Sequence, residues 1–80
     1  MGYYKDNLPA ATVEQLQAER GAKRLTYKQL ADASGLKEQT VMRYLTGKRD
    51  IPFPELVALS EALGLDPAEL LIRASQRINK

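Results

Sequence analysis

Cysteine and histidine are both missing from this chain. Without thiols there are no disulfides and no thiolate metal ligands, and without imidazole the commonest general base and the commonest zinc ligand are gone. An enzyme is therefore not expected, and neither is a metal or a cofactor. No apolar run approaches the roughly 20 residues that span a bilayer, and the opening segment MGYYKDNLP has no hydrophobic stretch of signal-peptide type. A cytoplasmic protein without a membrane partner is the expectation. Strand signals are absent too, with no sustained period-two run and no Asn-Gly or Asp-Gly hairpin dipeptide.

What is present favours helix. The chain is rich in Ala, Leu, Glu, Lys and Arg, all good helix formers. Its 80 residues allow one small domain, and a domain of this size buries only about 60% of the surface its unfolded chain exposes, so every helix must share one core. The net charge of +2 hides an uneven distribution. Between Arg20 and Arg49 lie eight basic residues (Arg20, Lys23, Arg24, Lys28, Lys37, Arg43, Lys48, Arg49) against two acidic ones, while the remainder holds four basic and eight acidic. Such a block is the electrostatic footprint of a face that meets phosphate, although an ordinary solvated surface has the same composition.

Periodicity and end signals predict five helices. The first begins after Pro9 and runs to about Lys23, with Val13, Leu16 and Arg20 on one face. The second covers Tyr27 to Ala33: Thr26 caps it, Gln29 reaches back to close a capping box, Leu25 staples against Leu30, and Gly35 ends it. The third runs from Glu38 to Leu45, with Val41, Tyr44 and Leu45 inward and Gln39, Arg43 and Thr46 outward, Glu38 and Met42 beside them. The fourth runs from Phe53 to about Leu63, its first turn bracketed by Pro52 and Pro54. The fifth starts with Asp66 as cap, Pro67 at the first helical position, Glu69 closing a capping box and Leu65 stapled to Leu70, and continues to about Ile78. Residues 1–9 are expected to form a flexible N-terminal arm, 10–78 the domain, and 79–80 a flexible tail.

The second and third helices carry the most informative spacing. Two helices joined by a short turn cross steeply only where the contact between them is small. Ala31 permits the close approach, Gly35 makes the turn, Leu36 fills it, and Val41 anchors the second helix on the first. Together with Leu30 and Tyr44, these residues form the scaffold of a helix-turn-helix. The elements Leu16-x3-Arg20, Leu25-Thr26, Leu30-Ala31, Gly35-Leu36, Thr40-Val41, Tyr44, Gly47-Lys48-Arg49 and Leu56-x2-Leu59-x3-Leu63-Gly64-Leu65 resemble the Cro and lambda-repressor-like (XRE-type) family of DNA-binding domains. That resemblance implies an all-α, five-helix bundle whose third helix enters the major groove, the geometry these repressors exemplify.

The resemblance also assigns roles. Glu38, Gln39 and Arg43 occupy the family's base-reading positions, and their chemistry fits that role. Gln39 can pair with adenine, Arg43 with guanine, and Glu38 can accept from cytosine. Met42 either touches a thymine methyl group or covers the core edge. Tyr27 and Lys28 open the second helix, where the family makes a backbone contact, and Thr40, Lys48 and Arg49 are the other phosphate candidates. Lys23, Arg24 and Lys37 serve either long-range attraction or solubility. The implied partner is a double-stranded DNA operator, with no small-molecule ligand evident, and the implied location is the nucleoid of a bacterium or phage-infected host.

Three departures from the family pattern concern geometry. Arg24 stands where many members have Gly, so the connection before Leu25 cannot take a glycine-only conformation without strain. Leu45 replaces the acid that many members pair with the Arg of helix one, leaving Arg20 to find Glu61 or solvent. Pro52 replaces the usual cap of helix four. A phage-type repressor is the leading role, with an antitoxin or a restriction-modification controller built on the same domain as alternatives. Helix five, with Leu70, Leu71, Ile72 and Ala74, offers a homodimer surface unless Leu71 and Ala74 merely complete the core. A small helical protein-interaction module is the reading from a different class.

Overall fold

The computed structural model describes residues 2–79. Met1 and Lys80, the outer ends of the expected arm and tail, lie outside the described residues. Among the described residues the elements are α1 (Tyr3–Ala22), α2 (Tyr27–Ser34), α3 (Glu38–Leu45), α4 (Phe53–Ala62) and α5 (Pro67–Ile78), with no strand. The fold class expected from the sequence is thus the one observed, and α3 has the expected bounds. The ends of α1, α2 and α4 differ from expectation by one residue.

The larger difference is at the start of α1, which begins at Tyr3 and carries Pro9 in its interior. An interior proline removes one helical hydrogen bond and crowds the preceding turn, at a cost of about 3 kcal/mol. Contacts across the molecule offset it. The Tyr3 hydroxyl donates to the Ile78 carbonyl at 2.5 Å, and Asn79 donates to the Tyr4 hydroxyl at 2.8 Å, so the first turn of α1 is fastened to the end of α5. Residues 3–9 are helix, not an unstructured arm. Half-buried Leu8 and buried Ala11 continue the inward face of α1 on both sides of the proline.

The core is built by one face from each helix. Leu16, Leu30, Ala31, Val41, Tyr44, Leu45, Leu59, Leu63 and Leu70 form a single buried cluster, flanked by half-buried Leu25, Leu36, Leu56 and Leu65. Each fully buried aliphatic side chain contributes about 1.5 to 3 kcal/mol. The α2–α3 pair is set by local chemistry. Thr26 and Gln29 form the reciprocal capping box, with amide-to-oxygen distances of 2.9 and 3.0 Å. Gly35, at φ +76°, ends α2 and lets the Leu36 amide return to the Ala31 carbonyl at 3.1 Å. A side chain would be strained there, because the left-handed region disfavours a Cβ.

The most extensive helix pairing is between α1 and α5, and it is polar at its rim. Glu19 accepts from Arg73 at 2.7 Å and from Gln15 at 2.8 Å, Arg77 donates to Gln15 at 2.7 Å, and Arg73 also holds Glu69 at 3.1 Å. Glu69 therefore does not close the expected capping box with Asp66, which caps alone through the Ala68 amide. A charged guanidinium one turn away is a stronger partner than a backbone amide. Burial pushes the Glu19 carboxyl up, but the hydrogen bonds from Arg73 and Gln15 outweigh it, leaving the group below its ordinary value. The same contacts raise Arg73. Arg20 binds neither Glu61 nor solvent alone: it donates to the Leu25 carbonyl at 2.7 Å and to Gln17 at 2.9 Å, and lies 4.5 Å over the Tyr27 ring.

On α5, Leu70 and Ala74 are buried, Leu71 is half-buried, and Ile72 is 50% exposed. The core therefore takes Leu70 with Ala74 rather than Leu71 with Ala74.

Candidate nucleic-acid interface

Packing of Val41, Tyr44 and Leu45 into the core turns the opposite face of α3 to solvent. Glu38, Gln39, Met42, Arg43 and Thr46 are all exposed, Met42 at 41%. Gln39, Met42, Arg43, Thr46 and Lys48 line one cleft, so three of the four candidate base readers and one phosphate candidate are brought together, while Glu38 lies outside its lining. Met42 faces this cleft and does not cover the core. No side chain caps α3 at Lys37, so the first amides of the helix point outward without an internal partner. Among the described residues no ion pair engages Arg43, Lys48 or Arg49. The charge of Arg43 and Lys48 is available to an incoming anion.

Tyr27 and Lys28 stand apart from that cleft, at the start of α2. Tyr27 is half-buried, and its hydroxyl accepts a hydrogen bond from Gln17 at 2.8 Å. Its ring is covered by Arg20, and its own proton remains free to donate to a phosphate oxygen. Lys28 reaches Asp32 at 3.7 Å, but both side chains are 71% exposed; such a surface pair is worth little and exchanges readily for another anion. Thr40 is half-buried beside the recognition face. Gln17 carries no signal in the sequence. Its amide spacing to Tyr27 crosses the α1–α2 connection, where periodicity says nothing.

Lys48 and Arg49, adjacent in sequence, diverge in space. Lys48 joins the α3 cleft, whereas Arg49 lines a separate apolar groove with Tyr4, Leu8, Val13, Ile51, Leu56 and Leu71. The Arg49 guanidinium lies 5.7 Å over the Tyr44 ring. Tyr44 is buried and gives its hydroxyl proton to the Glu55 carboxylate, and that bond together with burial raises its pKa. The hydroxyl is therefore taken by α4. Glu55 is the second functional neighbour that the sequence pattern misses.

A small helical bundle that offers an unpaired basic helix face on a helix-turn-helix defines a DNA-reading module. The match to known families agrees: residues 13–71 fit the family described as "Helix-turn-helix domain". The chain belongs to this family, in its XRE-type branch of DNA-binding transcription regulators. It is similar to the crystal structure of the clp gene regulator ClgR from C. glutamicum, with a TM-score of 0.78 and 27% identity over 89% of this chain and 92% of that one. No curated protein sequence matches the chain. The family match begins after Pro9, so the proline-bearing first turns of α1 fall outside it. Among the described residues no helix is long and apolar enough to cross a membrane.

Proposed function

We propose that the domain binds a duplex operator sequence-specifically and represses transcription in the manner of phage-type repressors, with α3 in the major groove. The observation that carries the reading is the single cleft of Gln39, Met42, Arg43, Thr46 and Lys48 on the free face of α3. Glu38, Gln39 and Arg43 read base edges, with Met42 against a thymine methyl group. Tyr27, Lys28, Thr40 and Lys48 hold the backbone, the first two at the positive end of α2. ClgR is a clp gene regulator, which supports transcriptional control as the use of this surface.

Two copies on a palindromic operator, about one helical turn apart, fit this reading. The exposed Ile72 on α5 is the proposed contact between them.

Selection of bound duplexes from a random pool, at low and at moderate salt, tests both statements. A palindromic consensus is the expected outcome, and an asymmetric half-site would remove the dimer. Recovery of no consensus, with affinity insensitive to salt, would overturn DNA reading and favour a protein-interaction module.

A further inference from the structure

The divergence of Lys48 and Arg49 gives the two cations different work. The turn after α3 carries both, and it is short: the Lys48 amide returns to the Arg43 carbonyl at 2.9 Å and the Gly47 amide to the Tyr44 carbonyl at 3.2 Å. Fixing one side chain of so tight a turn fixes the direction of its neighbour. Arg49 is the fixed one. Its guanidinium rests on the Tyr44 ring, and the ring cannot swing because it is buried and its hydroxyl is held by Glu55. A phenol that donates to a carboxylate is also more electron-rich on its face, which strengthens attraction to a cation.

We infer that Glu55, Tyr44 and Arg49 form a clamp across α4, α3 and the following turn. Its role is to aim Lys48 into the recognition cleft, which makes Arg49 a positioning residue and not a phosphate contact. This rests on the DNA-binding reading above for its consequence, though not for its geometry. An acidic residue on α4 thereby supports binding to a polyanion, opposite to what its charge alone predicts.

Salt titration of binding to a random-sequence 20-base-pair duplex separates the two roles of Arg49. Each lost phosphate contact lowers the slope of log affinity against log salt by about 0.9. If Arg49 acts through Lys48, Arg49→Ala and Lys48→Ala each lower the slope by about one contact, and the double variant loses no more than Lys48→Ala. An additive double loss would overturn the proposal. Arg49→Lys keeps the charge but not the planar stack, so affinity should fall by about two- to fivefold, as loss of an exposed cation–π contact implies; binding equal to that of the parent protein counts against the clamp.

Glu55→Ala should weaken binding about threefold despite raising the net charge, while Glu55→Gln, which keeps an acceptor, should restore it. Should Glu55→Ala fail to fold, Tyr44→Phe removes only the hydroxyl and carries the same expectation. The clamp is also visible without DNA, as contacts between Arg49 side-chain protons and the Tyr44 ring in nuclear Overhauser spectra of the free protein. These should be present in the parent and lost in Tyr44→Phe; if they persist unchanged, the hydroxyl is not part of the device. Were the parent protein to bind no duplex, the functional reading would fail, and the spectra alone would still decide the clamp.

Discussion

Arg73 and Arg43 are the same side chain on two helices of one bundle, held in opposite ways. Arg73 bridges Glu19 and Glu69 across the α1–α5 seam. Arg43 projects from α3 with no ion pair among the described residues. The seam and the recognition face thus divide the charged residues into those satisfied inside the fold and those left for a ligand. A charge paired across a helix seam holds two helices in register, whereas a charge left free costs the fold little and can bind. Substitutions should therefore separate stability from binding cleanly, and the most informative are those that fail to do so.

The largest effect should come from the residue beneath both regions. Val41 is fully buried where α3 meets the core, and Val41→Asp places an unpaired charge there, at a cost of more than about 4 kcal/mol. Circular dichroism should show an unfolded chain; a folded product that has merely lost DNA binding would mean Val41 does not carry the packing. Next comes the seam. Glu19→Ala should lower stability by about 2 kcal/mol in chemical denaturation, because it leaves the Gln15 amide donor without its acceptor and Arg73 with Glu69 alone, while DNA affinity of the folded fraction stays the same. On the face, Arg43→Ala should leave the melting temperature unchanged and cost about 1 to 3 kcal/mol of binding at one base pair only. Equal losses on every operator would erase the distinction between reading and holding.

The seam also has a pH signature. Glu19 sits below its ordinary value of 4.5 in the folded protein. Its contribution is therefore present above that value and is lost as pH falls through the lower folded one. Stability of the parent should decline as the medium is acidified below about pH 4.5, and Glu19→Gln should show a shallower decline. An identical pH profile for the two would place the acid sensitivity elsewhere.

How much of this is legible in the sequence depends on whether the cause is local. The bounds of α3, the capping box of Thr26 and Gln29, and the turn at Gly35 follow from residues within a few positions of one another, and the sequence displays them. The start of α1 is hidden because Pro9 is a strong local signal, and what overrides it, Tyr3 on Ile78 and Asn79 on Tyr4, joins the two ends of the chain. Glu69 has the spacing of a capping partner, but Arg73, equally close on α5, takes it. In the candidate site, the free face of α3 is readable from the helical period, since Val41, Tyr44 and Leu45 dictate which residues turn outward. The separation of Lys48 from Arg49 is not, because it depends on a ring and a carboxylate supplied by two different helices.

Arg24 tests a cation that belongs to neither region. It lies in the basic block, yet it is exposed in the turn after α1 at φ +55°, the only positive φ outside glycine among the described residues. The turn needs this conformation because the Arg24 amide returns to Gly21 and the Leu25 amide to Arg20, at 3.0 and 3.1 Å, which completes the end of α1. An L-residue held there costs about 1 to 2 kcal/mol, and glycine would relieve most of it while adding freedom to the unfolded chain. Arg24→Gly should therefore raise stability by about 0.5 to 1 kcal/mol. Affinity for DNA should drop slightly and only at low salt, since a charge without a phosphate contact acts through a field that about 0.15 M salt screens within roughly 8 Å. A loss of stability would show that the side chain, not the backbone, governs this turn, and a loss of affinity that persists in salt would move Arg24 onto the recognition face.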